Sequence, residues 1–227
     1  MSDEIGSAVR RVVTRVDRRG PRFERENVLR RLTVADYISL VALFWGWASA
    51  VLFLTGEPNW AVLAMLGGYG FDKLDGYWAR RSGVSSAFGR QIDSFIDVFV
   101  YLVSAALLYH YALAPNVYAS LVVGFLVVAF GGLRLVRHND EGFIAEGGTS
   151  YYRGTTVVHT NLAAVGCYLA AAFTGIPNGW LAGALLVLVS PLMVSDYRAP
   201  KTDRSHVLAA LAALTVAAGC LYLEVGA

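Results

Sequence analysis

Five of the seventeen acidic residues in this 227-residue chain fall inside apolar runs: Asp36, Asp72, Asp75, Asp93 and Asp97. On a helix, Asp72, Asp75, Gly76, Ala79 and Arg80 stand at i, i+3, i+4, i+7 and i+8 and share one face. Asp93 and Asp97, at i and i+4, share a face of the next helix. An ionised carboxylate surrounded by hydrocarbon is costly and must be compensated. Four brought together would repel one another or take up protons unless a cation neutralised them, and an all-oxygen ligand set suits a hard divalent ion. The economical reading is a metal site built from Asp72, Asp75, Asp93 and Asp97, taking Mg²⁺ or Mn²⁺, with Ca²⁺ also compatible with the donors. Two other arrangements use the same residues: ion pairs with Lys73, Arg80, Arg81 and Arg90, or a proton relay of the transporter kind. Lys73 and Arg81 fall off the aspartate face, which argues against pairing alone.

The residues around the acids extend this reading. Gly76, Ala79 and Gly89 are small, which leaves room either for a ligand or for a closely packed helix. Arg80, one turn beyond Asp75, could hold a phosphate that the metal also holds, or could snorkel to lipid headgroups. A second constellation follows: Arg134, Arg137, His138 and Asn139, then Tyr151, Tyr152, Arg153, Gly154, Thr155 and His159. Arg134 and Arg137 are one helical turn apart and could both point into a cavity, although topology alone also places arginines at such a membrane edge.

The elements that must carry these groups are membrane helices. Composition is 56% hydrophobic and only 16% charged, outside the range of soluble domains. The apolar residues form seven runs, near 34 to 55, 58 to 80, 90 to 111, 116 to 136, 155 to 174, 178 to 195 and 205 to 224. Most match the ~20 residues a helix needs to cross about 30 Å of hydrocarbon; the sixth is the shortest. Short links such as Gly56-Glu57-Pro58-Asn59 and Ala114-Pro115-Asn116 carry turn residues and predict antiparallel hairpins. Counted inward at about 1.5 Å per residue, Asp72 and Asp97 then lie at similar depth, roughly 10 to 15 Å from one surface.

All 19 basic residues lie on one side of this arrangement. Nine arginines precede residue 32, and the rest flank the links between runs two and three, four and five, and six and seven. Basic loops stay in the cytoplasm, so the amino terminus and the aspartate cavity are expected to face it, in a multi-pass protein of the cytoplasmic membrane. No secretory signal is expected, because charge precedes the first apolar run. Residues 1–31 read as a cytoplasmic basic segment, either an amphipathic helix on anionic headgroups broken at Gly20-Pro21 or a flexible tail. Residues 32–227 read as the membrane domain, an all-α polytopic bundle of six or seven spans. Cys167 and Cys220 lack metal or redox spacing and are expected to be packing residues.

The stretch Asp72-Lys73-Leu74-Asp75-Gly76-Tyr77-Trp78-Ala79-Arg80, then Gly89, Asp93 and Asp97 after spacers of eight, three and three, resembles the signature DxxDGxxARx8GxxxDxxxD of the CDP-alcohol phosphatidyltransferases. Every signature position and every spacer matches across 26 residues. The resemblance implies that Asp72, Asp75 and Asp93 hold one or two divalent ions and that Asp97 contributes to that site and acts as general base. It implies that Gly76, Ala79, Arg80 and Gly89 line the pocket for a CDP-lipid, either CDP-diacylglycerol or CDP-archaeol. It also implies a homodimer, to which Gly67-Gly68 or Gly131-Gly132 could lend close helix contacts. No nucleic-acid partner is expected. Six spans are usual in the family, so the seventh run is a departure.

Leu133 to Asn139 resembles the RLxRFN segment of the serine-specific branch of that family, with His138 in place of Phe. Tyr151-Tyr152-Arg153-Gly154 resembles the aromatic-x-Gly segment that follows it there, without its proline. The implied acceptor is L-serine, bound by Arg134, Arg137 and Arg153, with a polyol phosphate (inositol phosphate or glycerol phosphate) as the second choice. Two other classes share the aspartates. A prenyltransferase of the UbiA type carries its two motifs far apart, whereas Asp75 and Asp93 are 18 residues apart here. A cation carrier would not require Gly76, Ala79, Arg80 and Gly89. Asp36 has three open roles: the cavity mouth, a cap on the first span, or a contact to cytidine.

Overall fold

The computed structural model describes residues 27–83, 86–146, 149–200 and 203–226. The chain divides into two units, Met1–Leu32 and Thr33–Ala227. The first contributes a single turn, α1 (Val28–Arg31), capped by the Asn27 side chain on the Leu29 N–H. The amphipathic helix expected before it lies outside the described residues.

The second unit is an all-α bundle. Helix α2 (Val34–Leu54) opens with a capping box: Thr33 Oγ1 accepts from the Asp36 N–H while the Asp36 carboxylate accepts from the Thr33 N–H at 2.7 Å. Gly56, at φ 81°, turns the chain, and Pro58 starts α3 (Pro58–Ser82) at a position where its missing N–H costs nothing. Gly83 ends α3 in the left-handed conformation, and Ser86 caps α4 on the Gly89 N–H at 2.8 Å. Helix α4 runs from Ala87 to Leu113 with two π-helical stretches, Val98–Val103 and Tyr109–Leu113. Asn116 caps α5 (Val117–Glu141), and α6 (Val157–Thr174), α7 (Gly179–Val189, continued by a 3₁₀ turn to Val194) and α8 (Asp203–Val225) complete the bundle.

All seven apolar runs are helices. Five of these helices have the length and hydropathy to cross a bilayer: Val34–Leu54, Ala87–Leu113, Val117–Glu141, Val157–Thr174 and Val207–Val225. The other two differ for separate reasons. Helix α3 is long enough, but Asp72, Lys73, Asp75, Arg80 and Arg81 lower its hydropathy. The eleven residues of α7 rise only about 17 Å, short of a ~30 Å core. Phe44, Trp47, Phe125, Trp180, Leu181, Leu188, Leu208 and Leu214 are exposed, as helices solvated by lipid require.

Glycines set the helix approaches within the chain. A Cβ at Gly68 would stand 3.0 Å from Val100 Cγ1, one at Gly67 2.9 Å from the Trp45 ring, and one at Gly131 would overlap Leu102. These three glycines therefore serve close contacts inside the chain; Gly132 meets nothing within 4 Å. Cys220 is fully buried and Cys167 half-buried, both as free thiols, consistent with packing roles.

One element was not anticipated. The link after α5 forms a three-stranded antiparallel sheet, β1 (Ile144–Glu146), β2 (Thr149–Arg153) and β3 (Arg198–Pro200), with Ile144 opposite Tyr151 and Arg153 opposite Arg198. Three to five residues per strand leave too little alternation to mark a strand, and β3 comes from a link 45 residues later.

Candidate active site

Asp72 and Asp75 come from α3 and Asp93 from α4. One carboxylate oxygen of each lies within 4.8 Å of the other two. Ligands on opposite sides of an ion held at about 2.0–2.6 Å are themselves about 4–5 Å apart, so this trio fits a hard divalent cation. Asp97, one turn along α4 from Asp93, is not part of the trio, although it interacts electrostatically with Asp72 and Asp93. The three-plus-one division separates a candidate ligand set from a fourth, half-buried carboxylate beside it.

Asp72 and Asp75 are buried, and each has a hydrogen-bond donor from another helix of the bundle. Ser39 of α2 donates to Asp75, and Tyr101 in the first π-helical stretch of α4 donates to Asp72 Oδ2 at 2.7 Å. Lys73 Nζ also reaches Asp72 Oδ2 at 2.7 Å, with the Tyr69 ring 5.2 Å away. This corrects the expectation that Lys73 points away from the acids. Helical spacing sets the direction of Cβ, but the four-carbon stem of lysine bends back to its sequence neighbour. Arg81 does lie off the face, donating to the Tyr77 hydroxyl at 2.9 Å. Ser39 and Tyr101 went unnoticed in the sequence, though each stands one turn from an aspartate, Asp36 or Asp97, on the same helix.

A cleft of about 540 Å³ opens beside the trio, lined by Asp36, Ser39, Asp75, Gly76, Ala79, Gly89, Arg90 and Asp93, with Thr33, Ala35 and Ser86 at its edge. Its small residues keep it open. A Cβ at Gly89 would stand 3.0 Å from Asp36 Oδ1, and one at Gly76 3.2 Å from an Arg80 guanidinium nitrogen, which lies folded over it. Asp36 therefore combines two of its expected roles, capping α2 and lining the cleft. A second cleft, about 470 Å³ and almost wholly apolar, runs between α3, α4, α6 and α8 and is lined by Met65, Tyr69, Tyr101, Asn161, Ala212 and Val216 among others. Tyr101 links the two regions, with its ring on the apolar cleft and its hydroxyl on Asp72.

The three arginines expected at the acceptor site stand in different surroundings. Arg134 is 5% exposed, its Nε has no hydrogen-bond partner, and Asp97 and Asp93 both act on it electrostatically. The Tyr152 ring lies 6.0 Å from its guanidinium. Burial raises the Tyr152 phenol above its ordinary range, so the ring faces Arg134 uncharged. Arg137, by contrast, donates to four carbonyls, those of Val194, Arg153, Met193 and Ser195, at 2.8 to 3.1 Å. Arg153 pairs with Glu141 at 2.7 Å, both partly exposed. Of the three arginines expected to bind the acceptor, Arg134 is the one that is buried with an unpartnered nitrogen among the described residues. The other two tie α5 to the sheet and to the turn after α7.

A bundle of membrane helices carrying such a carboxylate site fits an enzyme that handles the phosphates of a lipid substrate. The CDP-alcohol phosphatidyltransferase family matches residues 32–195, and the chain belongs to that family. It is accordingly a transferase of phospholipid biosynthesis, and the prenyltransferase and cation-carrier readings fall away. It is similar to the archaetidylserine synthase of Methanothermobacter thermautotrophicus, 31% identical over 76% of this chain and 71% of that protein. It is also similar to the CDP-diacylglycerol–serine O-phosphatidyltransferase of Methanocaldococcus jannaschii, 29% identical over 75% of each chain. The Saccharomyces cerevisiae protein of that latter name is 32% identical over 50% of this chain and 43% of its own. Helix α8 lies beyond the family match.

Proposed function

We propose that this enzyme transfers the phosphatidyl-type group of a CDP-lipid to the hydroxyl of L-serine and releases CMP, working at the cytoplasmic face of the cell membrane. The observation that carries the acceptor is Arg134, a buried guanidinium with an unpartnered Nε beside Asp93 and Asp97. One guanidinium suits the single charge of an amino-acid carboxylate. A sugar phosphate brings about two charges, and the two arginines that could have met the second are engaged elsewhere. The names of the similar proteins, two serine transferases and an archaetidylserine synthase, point to the same acceptor.

Asp72, Asp75 and Asp93 would hold the divalent ion, Mg²⁺ or Mn²⁺, whose chemistry is to neutralise the diphosphate and the charge developing on the CMP leaving group. The nucleotide diphosphate lies in the polar cleft, where Gly76, Ala79 and Gly89 let it approach the backbone and Arg80 meets its charge. The hydrocarbon chains lie toward the apolar cleft behind Tyr101. Asp97 takes the proton of the serine hydroxyl as its oxygen attacks the lipid-linked phosphorus. The phosphorus–oxygen bond to CMP breaks, and CMP departs with the electron pair.

The test is an acceptor panel: purified protein, CDP-lipid, Mn²⁺ or Mg²⁺, and labelled L-serine, glycerol phosphate, inositol phosphate and inositol. Serine-dependent CMP release supports the reading. Product from a polyol phosphate with none from serine refutes the acceptor.

A further inference from the structure

Tyr101 is almost fully buried, and a buried phenol needs a hydrogen-bond partner. Its partner is Asp72, from a different helix and 29 residues earlier in the chain. Two features indicate that this contact is built rather than incidental. Tyr101 lies in the π-helical stretch Val98–Val103 that begins directly after Asp97, and such a stretch changes the angular register of the side chains that follow. Its own carbonyl is held by Asn161 Nδ2 of α6 at 3.0 Å, and that amide also touches Met65 Sδ of α3 at 3.1 Å. The tyrosine is therefore fixed at both ends, by α6 through its backbone and by α3 through its hydroxyl. Tyr101 and Lys73 donate to the same oxygen of Asp72, Oδ2, and Oδ1 accepts from no donor among the described residues.

We propose that Tyr101 is a positioning residue for the metal site: its hydroxyl locks the Asp72 carboxylate in one orientation, with Oδ1 presented to the ion. This rests on reading Asp72, Asp75 and Asp93 as the metal ligands. Outer partners that orient a ligating group commonly change metal affinity by about 10- to 100-fold when removed. Lys73 cannot replace the phenol, because its stem is flexible and its side chain is 47% exposed, whereas Tyr101 is held in packed surroundings.

The experiment is Mn²⁺ binding to the purified full chain, followed by isothermal titration and by loss of the free Mn²⁺ resonance signal. It compares wild type, Tyr101→Phe and Tyr69→Phe, with thermal melting of each without metal. Tyr69→Phe removes a second hydroxyl from the same cleft without touching Asp72. The expected result is a Kd for Mn²⁺ raised about tenfold or more by Tyr101→Phe and unchanged by Tyr69→Phe, with turnover of Tyr101→Phe recovering at saturating Mn²⁺. Equal Kd values for wild type and Tyr101→Phe, or a tenfold loss shared by Tyr69→Phe, overturn the proposal. If wild type itself binds no Mn²⁺, the metal-site reading fails instead.

Discussion

Lys73 Nζ lies 2.7 Å from Oδ2 of Asp72, its neighbour in sequence and a member of the carboxylate trio. An ion held by the trio would share that carboxylate with the ammonium. The attraction of unit charges near 4 Å is about 1 kcal/mol in water and about 4 kcal/mol at an effective dielectric of 20; the half-exposed lysine belongs nearer the lower figure. Lys73→Met should therefore tighten Mn²⁺ binding by about fivefold, close to 1 kcal/mol. Titration with Mn²⁺ decides it, and weaker binding would mean that Lys73 supports the site rather than competes for it.

Metal removal gives the broadest test. With three carboxylates sharing one region, turnover should stop in excess EDTA and return on adding Mg²⁺ or Mn²⁺. CMP release is the readout. Full activity in the chelator is incompatible with the proposed chemistry.

Asp97 stands outside the trio, so its loss should affect chemistry more than binding. Removing a general base costs about 10²- to 10⁴-fold in rate. Asp97→Asn should lower kcat on that scale while CDP-lipid still protects the enzyme against heat. Near wild-type turnover between pH 6 and 9 would assign the base to another residue.

Arg134 and Arg137 are one turn apart on α5 and should respond differently. Arg134→Ala should raise the KM for serine at least tenfold with little change in that for CDP-lipid, because it removes the buried guanidinium beside Asp93 and Asp97. Arg137→Ala leaves four carbonyls without their donor. Orphaned polar groups cost about 1–3 kcal/mol each when buried, and water will reach some of these, so a loss of about 2–3 kcal/mol is expected. In a chain of this size that lowers the melting temperature by about 5–10 °C. If Arg137→Ala melts normally and loses only serine affinity, the two assignments are reversed.

Helix α8 is attached to the bundle at the far end of α3 from the aspartates. Both carboxylate oxygens of Glu224 are used, accepting from Asn59 Nδ2 at 3.0 Å and Trp60 Nε1 at 2.9 Å, and Tyr168 donates to Asn59 Oδ1 at 2.5 Å. Hydrogen bonds to a charged group are worth about 1.5–3 kcal/mol. Glu224→Gln keeps one acceptor, so its melting temperature should fall by only about 2–5 °C, with Mn²⁺ affinity unchanged. A changed Mn²⁺ affinity would show that α8 is coupled to the metal site.

Much of this protein is legible in its residues alone. Hydrophobic run length located the seven helices, because a chain in lipid must satisfy its backbone internally and the apolar segment matches the helix nearly residue for residue. Helical spacing put Asp72 and Asp75 on one face and Asp93 and Asp97 on another, because side chains three or four residues apart share a face whatever the helix packs against, and the short link between the two helices set those faces at similar depth. What spacing could not decide is where long side chains end and which helix answers them. Lys73 bends back to Asp72, Arg137 turns to carbonyls 16 to 58 residues away, and Ser39 and Tyr101 become partners of aspartates through the packing of α2, α3 and α4. The β-sheet has the same origin, since β2 and β3 pair across an intervening pair of helices. Periodicity describes one helix about its own axis; the partner of a buried charge comes from another helix, so only the assembled bundle selects it.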